Sequence, residues 1–183
     1  AAALRDAARR LVESERPLVL TANSGRTQAG YHGLVRLAEL LALPVVEWRN
    51  RANFPADHPL HQGYDARPLL EQADVVLALD HDYPYIPTQM QPRADACICQ
   101  IDLDPLKERI PLWTFPVDLP IRADTAVALD ALADEVEALL AGEHRERIDT
   151  RRTTLSARHD RQRDEWAALA EHAAETTPIT LPW

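Results

Sequence analysis

The segment between residues 17 and 48 constrains the fold more than any other part of the chain. It starts with PLVLTA at Pro17, a continuous apolar run typical of a strand that a parallel sheet buries on both faces. Small polar residues at 23–25 then form a turn, and an amphipathic helix is predicted over 29–42. A second strand, PVVEW, begins at Pro44. A strand, helix and strand in this order form one right-handed parallel unit.

The same alternation of strands and helices continues along the chain. The leading residues 4–12 carry the apolar spacing of a helix, and Asp124 precedes another clear helical stripe. Three further strands are predicted, over residues 73–80, 96–104 and 115–121. Pro116 and Pro120 place the last of these at a sheet edge, where a missing N–H is tolerated. We therefore expect an α/β fold, a three-layer, doubly wound parallel sheet of the Rossmann-like type.

The pattern changes after residue 142. Seven arginines lie within 145–163, and apolar residues become sparse up to Thr177. A charged segment of this kind is typical of a solvated helix face. We expect residues 1–142 to form the α/β domain and residues 143–183 to form a helical connector outside the sheet core.

Composition narrows the range of partners and compartments. The chain of 183 residues has a formal net charge of −9, which argues against nucleic acid as a partner. It shows no signal peptide and no apolar run long enough for a membrane span, so we expect neither a membrane partner nor export. Cys97 and Cys99 alternate onto one strand face as small core residues, and a cytoplasmic location is the simplest reading.

The turn after the first strand is the first candidate binding site. Small residues there allow a ligand to approach the backbone N–H groups, and Arg26 can pair with a phosphate. The candidate cofactor-binding residues in this turn are Asn23, Ser24, Gly25 and Arg26. The turn lacks G-x-G-x-x-G and a Walker lysine, and a plain strand-to-helix turn is the alternative interpretation.

Carboxylates after the third and fourth strands form the second candidate site. Asp80 and Asp82 follow strand three with His81 between them, and Asp102 and Asp104 follow strand four. Carboxylates at the carboxyl ends of parallel strands lie where ribose hydroxyls bind in such folds. The alternative role for these aspartates is turn formation and helix capping. His81 can titrate usefully but has no nucleophile beside it, so we predict no catalytic residue.

Two loops carry further candidates. His58 and His61 are three residues apart, but Pro59 between them and the lack of a third donor argue against a metal site. We expect these histidines to be satisfied by solvent. The stiff segment YPYIP, residues 83–87, can wall an adenine or flavin pocket or pack on a neighbouring domain.

Taken in order, six blocks of the chain resemble the central domain of thiamine-diphosphate-dependent enzymes of the acetolactate synthase type. The resemblance spans about residues 1–142, and the order of the blocks carries it. The blocks are RPLVLTANSGR, LVRLAELLALPVVE, FPADHPLHQGYD, LLEQADVVLALD, IDLDPLKERIPL and IRADTAVALDALADEVEALL. The ending TTPITLPW resembles the connector to the family's diphosphate-binding domain. Because the chain starts at Ala1 without methionine and stops at Trp183, we expect a segment of a longer polypeptide.

The resemblance implies a homodimeric or homotetrameric enzyme with three α/β domains that acts on 2-keto acids. In that family the N-terminal domain supplies the glutamate that activates the thiazolium. The C-terminal domain binds the diphosphate and Mg²⁺ through Gly-Asp-Gly and a later asparagine. This chain contains no Gly-Asp-Gly, so we expect it to be inactive alone. The central domain of such enzymes holds FAD, holds ADP, or is empty and structural.

Departures from the family pattern weaken the FAD interpretation. FAD-binding members carry Gly-Ala-Arg after the third strand, where this chain has Asp80-His81-Asp82. It also has Gly63-Tyr64-Asp65 in place of a Gly-Met-His-Gly-type segment. Two added carboxylates disfavour a nearby pyrophosphate. The favoured hypothesis is an architectural domain, and the alternative is a module that binds ADP, CoA-derived adenine or FAD. A deacetylase-like nicotinamide-nucleotide enzyme is a third, less favoured hypothesis.

Overall fold

The computed structural model describes residues 2–48, 51–107 and 116–174. Helices and strands alternate up to residue 79, two further strands follow in the described residues without a helix before either, and two helices end the described chain. The elements are α1 (Ala2–Glu13), β1 (Pro17–Thr21), α2 (Gln28–Leu41), β2 (Val45–Glu47), α3 (Arg67–Leu70), β3 (Val75–Leu79), β4 (Cys97–Asp102), β5 (Leu119–Arg122), α4 (Thr125–Leu139) and α5 (Arg145–Ala174). Short 3₁₀ turns lie at Ser24–Arg26 and Gly142–His144.

The five strands form one parallel sheet in the order β2-β1-β3-β4-β5. Val19 of β1 pairs with Val45 on one side and Leu77 on the other, so β1 lies inside the sheet. The chain reverses its direction of progress across the sheet between β1 and β3. Ligands of such sheets bind at the carboxyl ends of the strands beside this switch point. The predicted doubly wound α/β fold is confirmed.

Local sequence signals explain where the helices begin and end. The Thr27 hydroxyl accepts the Gly30 N–H at 3.1 Å and caps α2, and Asp124 caps α4 through two backbone N–H groups. Helix α2 ends at Ala42, whose φ of 50° gives the left-handed terminating conformation. Pro120 lies in β5, and the predicted edge position of this strand is confirmed. Phe115, the predicted start of that strand, lies outside the described residues.

Alternate strand residues face two separate hydrophobic clusters. The larger cluster joins one sheet face to α1, α2 and α4, and Val19, Leu77 and Cys99 belong to it. The smaller cluster covers the other face with α3 and the loop that contains Tyr85. Cys99 is fully buried, and its sulfur lies 3.8 Å from that of Cys97. The prediction that both thiols share one strand face is therefore confirmed.

Helix α5 differs from the prediction in its relation to the core. Ile148 and Leu155 belong to the larger hydrophobic cluster, and His159 is buried. The expectation of a solvated segment outside the core is therefore wrong for the first half of this helix. The helix itself was predicted, but the boundary at residue 142 stays a prediction. Residues 175–183, which include the end of the predicted connector, and residues 108–112 of the block IDLDPLKERIPL lie outside the described residues.

Arginines of α5 bind the carbonyl groups at the ends of α1 and α2. Arg151 donates to Leu41 O at 2.8 Å, to Ser14 O at 2.9 Å and to Glu15 O at 3.1 Å. Arg147 donates to the Val12 carbonyl, and Arg152 and Arg163 reach further backbone carbonyls. The last carbonyls of a helix lack intrahelical partners and attract positive charge. These arginines therefore attach α5 to the ends of α1 and α2, and they do not only form a charged surface.

We expect Arg151→Met to lower the free energy of unfolding by about 2–3 kcal/mol, because three backbone acceptors lose a charged donor. Burial lowers the pKa of Arg151 to about 10, so the guanidinium is charged at neutral pH. Arg151→Lys is the matched control, since it keeps the charge but not the fork of donors, and it should lose about half as much. Urea unfolding measures both variants, and equal stability of Arg151→Met and the unchanged chain contradicts this role for α5.

Candidate functional site

A cavity of about 660 Å³ lies at the carboxyl ends of β1, β2 and β3. It is therefore located beside the switch point, where the fold is expected to place a ligand. Its size falls within the range of small-molecule sites. The lining combines polar groups with aromatic rings, and comprises Ala22, Asn23, Trp48, Tyr64, His81, Asp82 and Tyr83.

The predicted phosphate turn makes its polar contacts with the chain itself. Ser24 is buried, and its hydroxyl lies 2.6 Å from the Thr21 hydroxyl. The Gly25 N–H donates to Asn53 Oδ1 at 3.0 Å. Asn23 donates from Nδ2 to the Asp80 carbonyl at 3.3 Å. Ligand binding by this turn stays a prediction, and the structure shows each of these groups with a partner inside the protein.

Gly25 gives room to a neighbouring loop. A Cβ atom placed at this residue would lie 2.2 Å from Ala52 O and 2.7 Å from Asn53 Cα. Real Cβ atoms do not approach backbone that closely, so the backbone at 52–53 requires glycine here. The small residues of the turn suggested open space beside its backbone, but the loop at 52–53 occupies that space at Gly25.

Asn53 connects the turn to a buried acid and a buried histidine. It is fully buried, and its own N–H donates to Glu47 Oε2 at 2.8 Å. The other carboxylate oxygen of Glu47 lies 3.2 Å from His61 Nε2. His61 is fully buried, and its carbonyl accepts a hydrogen bond from His159 Nδ1 at 2.8 Å. The prediction that His61 is satisfied by solvent is therefore wrong.

Asp80 occupies a strained position at the end of β3. Its φ of 48° lies in the left-handed region, which is uncommon for a residue other than glycine. Oδ1 accepts from the Thr125 hydroxyl at 2.7 Å, and Oδ2 lies 3.6 Å from Arg26. Burial raises the pKa of this carboxyl, and the Thr125 hydrogen bond and the Arg26 charge oppose the rise. Arg26 also lies 4.0 Å from Asp124, so this arginine already faces two carboxylates.

Lys107 occupies a second position between two carboxylates. Its Nζ lies 2.9 Å from Asp102 Oδ2 and 3.1 Å from Asp82 Oδ1. Asp102 Oδ1 accepts the Asp104 N–H at 2.9 Å. This contact forms a turn, which is the alternative role that the sequence suggests for these aspartates. Lys107, Asp82 and Asp102 line a second cavity, of about 230 Å³, together with Arg51. The predicted site residue Asp104 does not line it. The charged residues at this edge therefore neutralise one another in large part.

His81 is a neutral imidazole held by a neighbouring indole. Trp48 Nε1 donates to His81 Nδ1 at 2.9 Å. The ring is buried, and burial lowers its pKa to about 3 although the Asp82 charge opposes this. The Gln100 side chain also donates to the His81 carbonyl at 3.0 Å. An imidazole with so low a pKa is a poor proton acceptor at neutral pH.

Aromatic rings form the exposed wall of the cavity of about 660 Å³. Tyr83 lies almost perpendicular to Trp48, with ring centroids 5.5 Å apart. Tyr64 stacks on Trp166 of α5, with centroids 5.9 Å apart. The predicted aromatic segment divides between two roles, because Tyr83 lines the cavity while Tyr85 is buried in the smaller core cluster.

Sequence reasoning missed Trp48, Asn53 and Lys107. Trp48 follows directly after β2, and its position at the carboxyl end of a buried strand was a usable signal. Asn53 and Lys107 lie in loops, and nothing in their local pattern indicates a partner.

Within the described ranges, no group of three or more His, Cys, Asp or Glu side chains is placed to hold a metal ion. The described helices also include none long and apolar enough to cross a membrane.

Comparisons with known proteins define the family. Residues 4–132 match the model of the thiamine pyrophosphate enzyme central domain. A Mycobacterium smegmatis structure, described as a putative thiamin diphosphate-dependent enzyme, is 26% identical with a TM-score of 0.57. The match covers 73% of this chain and 27% of that one. The thiamine diphosphate-dependent 4-hydroxybenzoylformate decarboxylase of Rhodococcus jostii RHA1 is 22% identical with a TM-score of 0.60. That match covers 74% of this chain and 27% of the decarboxylase chain.

The chain thus spans about a quarter of the length of these solved structures, at 27% of each. The search of curated proteins gave no match. The family match covers well over half of the chain and coincides with the sheet and the helices packed on it. This chain belongs to the thiamine pyrophosphate enzyme central-domain family.

Proposed function

We propose that this chain is the central, architectural domain of an acetolactate-synthase-like transferase or lyase that acts on 2-keto acids in the cytoplasm. Its role is to space and orient an N-terminal and a C-terminal domain that bind thiamine diphosphate and Mg²⁺. The parent enzyme works as a homodimer or homotetramer. The family match and the order of the sequence blocks support this proposal.

The residues of this chain do not fit thiamine diphosphate with Mg²⁺. The sequence lacks Gly-Asp-Gly, and the described residues include no group of carboxylates and histidines placed for a metal.

The contacts of the turn after β1 carry the architectural interpretation. Gly25 N–H is already bound by Asn53, and the backbone at 52–53 fills the space over the glycine. Arg26 faces Asp80 and Asp124. A diphosphate bound to this turn must displace the loop and compete with these carboxylates, and both changes are unfavourable. The turn is therefore suited to holding the fold together.

A nucleotide-binding module is the alternative, and the cavity of about 660 Å³ favours it. Its aromatic wall, with Tyr83, can stack against adenine or a flavin. In this alternative Ser24, Gly25 and Arg26 face the phosphates of ADP, CoA or FAD. Asp102 or Asp104 then binds the ribose.

Calorimetric titration of the chain with ADP, CoA and FAD separates the two functions. We expect no binding heat and no thermal shift at millimolar ligand, because the turn is closed by the chain itself. Saturable binding of any of the three supports the nucleotide module instead. Asn53→Ala is the informative variant, since it removes the acceptor from Gly25 N–H and should favour any diphosphate that the turn can hold.

The parent enzyme is tested by sequencing the gene on both sides of this coding segment. The expected result is an upstream domain with the activating glutamate and a downstream domain with Gly-Asp-Gly followed by asparagine. Turnover of a 2-keto acid by the 183-residue chain alone, with thiamine diphosphate and Mg²⁺ added, contradicts the proposal.

A further inference from the structure

Three aromatic side chains at the carboxyl edge of the sheet are exposed. Trp48 and Tyr64 are each 37% exposed, and Tyr83 is 44% exposed. All three line the same cavity of about 660 Å³. Large apolar groups that are exposed and gathered at one site indicate binding.

The geometry of two of these rings suits a rounded ligand. The rings of Trp48 and Tyr83 meet at 72°, with centroids 5.5 Å apart, and form two adjacent walls. His81 holds the Trp48 ring at its edge, because its Nδ1 accepts the indole N–H. A cation is attracted to an aromatic face when it lies within about 6 Å of the ring centroid. A group placed in the corner between these walls satisfies that distance to both rings.

The charges around the cavity favour a cation over an anion. Among the described residues that line it, Asp82 is the one charged side chain. Asp82 shares the Lys107 ammonium with Asp102, so that two carboxylates face one positive charge. Arg26 is likewise divided between Asp80 and Asp124. With Arg51 included, these four carboxylates face three positively charged side chains, which leaves one negative charge in excess. His81, with a pKa of about 3, adds no positive charge.

We propose that this cavity binds a small organic cation of the quaternary ammonium class, held between the rings of Trp48 and Tyr83 with Asp82 as counter-charge. Aromatic walls with a nearby carboxylate are the arrangement by which proteins recognise such ligands. The site does not depend on whether the chain spaces catalytic domains, so either proposal can fail without the other.

The test compares a cation with its uncharged isostere on the 183-residue chain. Choline and 3,3-dimethylbutan-1-ol have nearly the same shape and differ in the positive charge. We expect saturable calorimetric binding of choline and at least about tenfold weaker binding of the alcohol, because cation–π attraction requires the charge. Equal binding of the two compounds, or no choline binding at millimolar concentration, overturns the proposal.

Matched variants locate the site. Tyr83→Leu removes one aromatic wall and should weaken choline binding roughly fivefold, whereas Tyr83→Phe keeps the ring and should stay within about twofold. Asp82→Asn removes the counter-charge and should weaken binding roughly threefold. Both side chains are exposed, and thermal unfolding checks that the variants fold. Unchanged choline affinity in both Tyr83→Leu and Asp82→Asn overturns the assignment.

Discussion

Between pH 7 and pH 3 this chain is expected to lose about 4 kcal/mol of its free energy of unfolding through His81, since each pH unit between the two pKa values contributes up to about 1.4 kcal/mol. The pKa of the buried imidazole is about 3, against 6.5 in the unfolded chain. Between these values the unfolded state takes up a proton that the folded state does not accept. Stability is therefore fully present above pH 6.5 and falls as the pH drops towards 3. This loss is large beside the total stability of an ordinary domain.

His81→Gln isolates this contribution, because its amide oxygen can still accept the Trp48 indole N–H. Urea unfolding at pH 3, 4, 5, 6 and 7 is expected to give a flatter pH profile for the variant. Asp80 acts in the opposite direction, since its pKa is raised in the fold and its protonation favours the folded state. It is present in both proteins, so the difference between the two profiles reports His81. Parallel profiles contradict the burial of a neutral imidazole.

The strands and helices were predictable because their signals are local. The apolar run of β1 and the apolar face of α2 are complete within a few residues, and each needs only a partner surface to bury it. The prolines around β5 likewise limit that strand to an edge, whatever lies elsewhere in the chain. The carboxyl edge of the sheet, and therefore the position of the site, follows from that alternation.

The polar contacts of the site were not predictable in the same way. Asn53 binds Gly25, 28 residues away, and Lys107 pairs with Asp82. Neither contact produces a periodic pattern in the sequence. The arginines of α5 have the same local pattern whether they face solvent or bind helix ends, because charge spacing does not reveal a backbone acceptor more than a hundred residues away. His61 was misjudged for the same reason, since its partner Glu47 lies on a strand.

Gly25→Ala is expected to lower the free energy of unfolding by about 3 kcal/mol, because a methyl group at this position overlaps the backbone at residues 52–53. The loop must move, and the hydrogen bond from Gly25 N–H to Asn53 is lost with it. Gly142→Ala is the matched control, since a Cβ there meets nothing within 4 Å. That variant should be unchanged or up to about 1 kcal/mol more stable, because alanine restricts the unfolded chain. Urea unfolding compares the two.

The Gly25→Ala result also separates two reasons for a glycine in this turn. If the glycine is needed for the loop at 52–53, the variant loses stability without any ligand present. If it is needed for a bound diphosphate, the unliganded variant keeps its stability and loses only affinity. Because the Ala52 carbonyl oxygen lies 2.2 Å from the position of the added carbon, we expect the first outcome. Full stability of Gly25→Ala shows that the loop does not pack there, and the turn is then open to a phosphate.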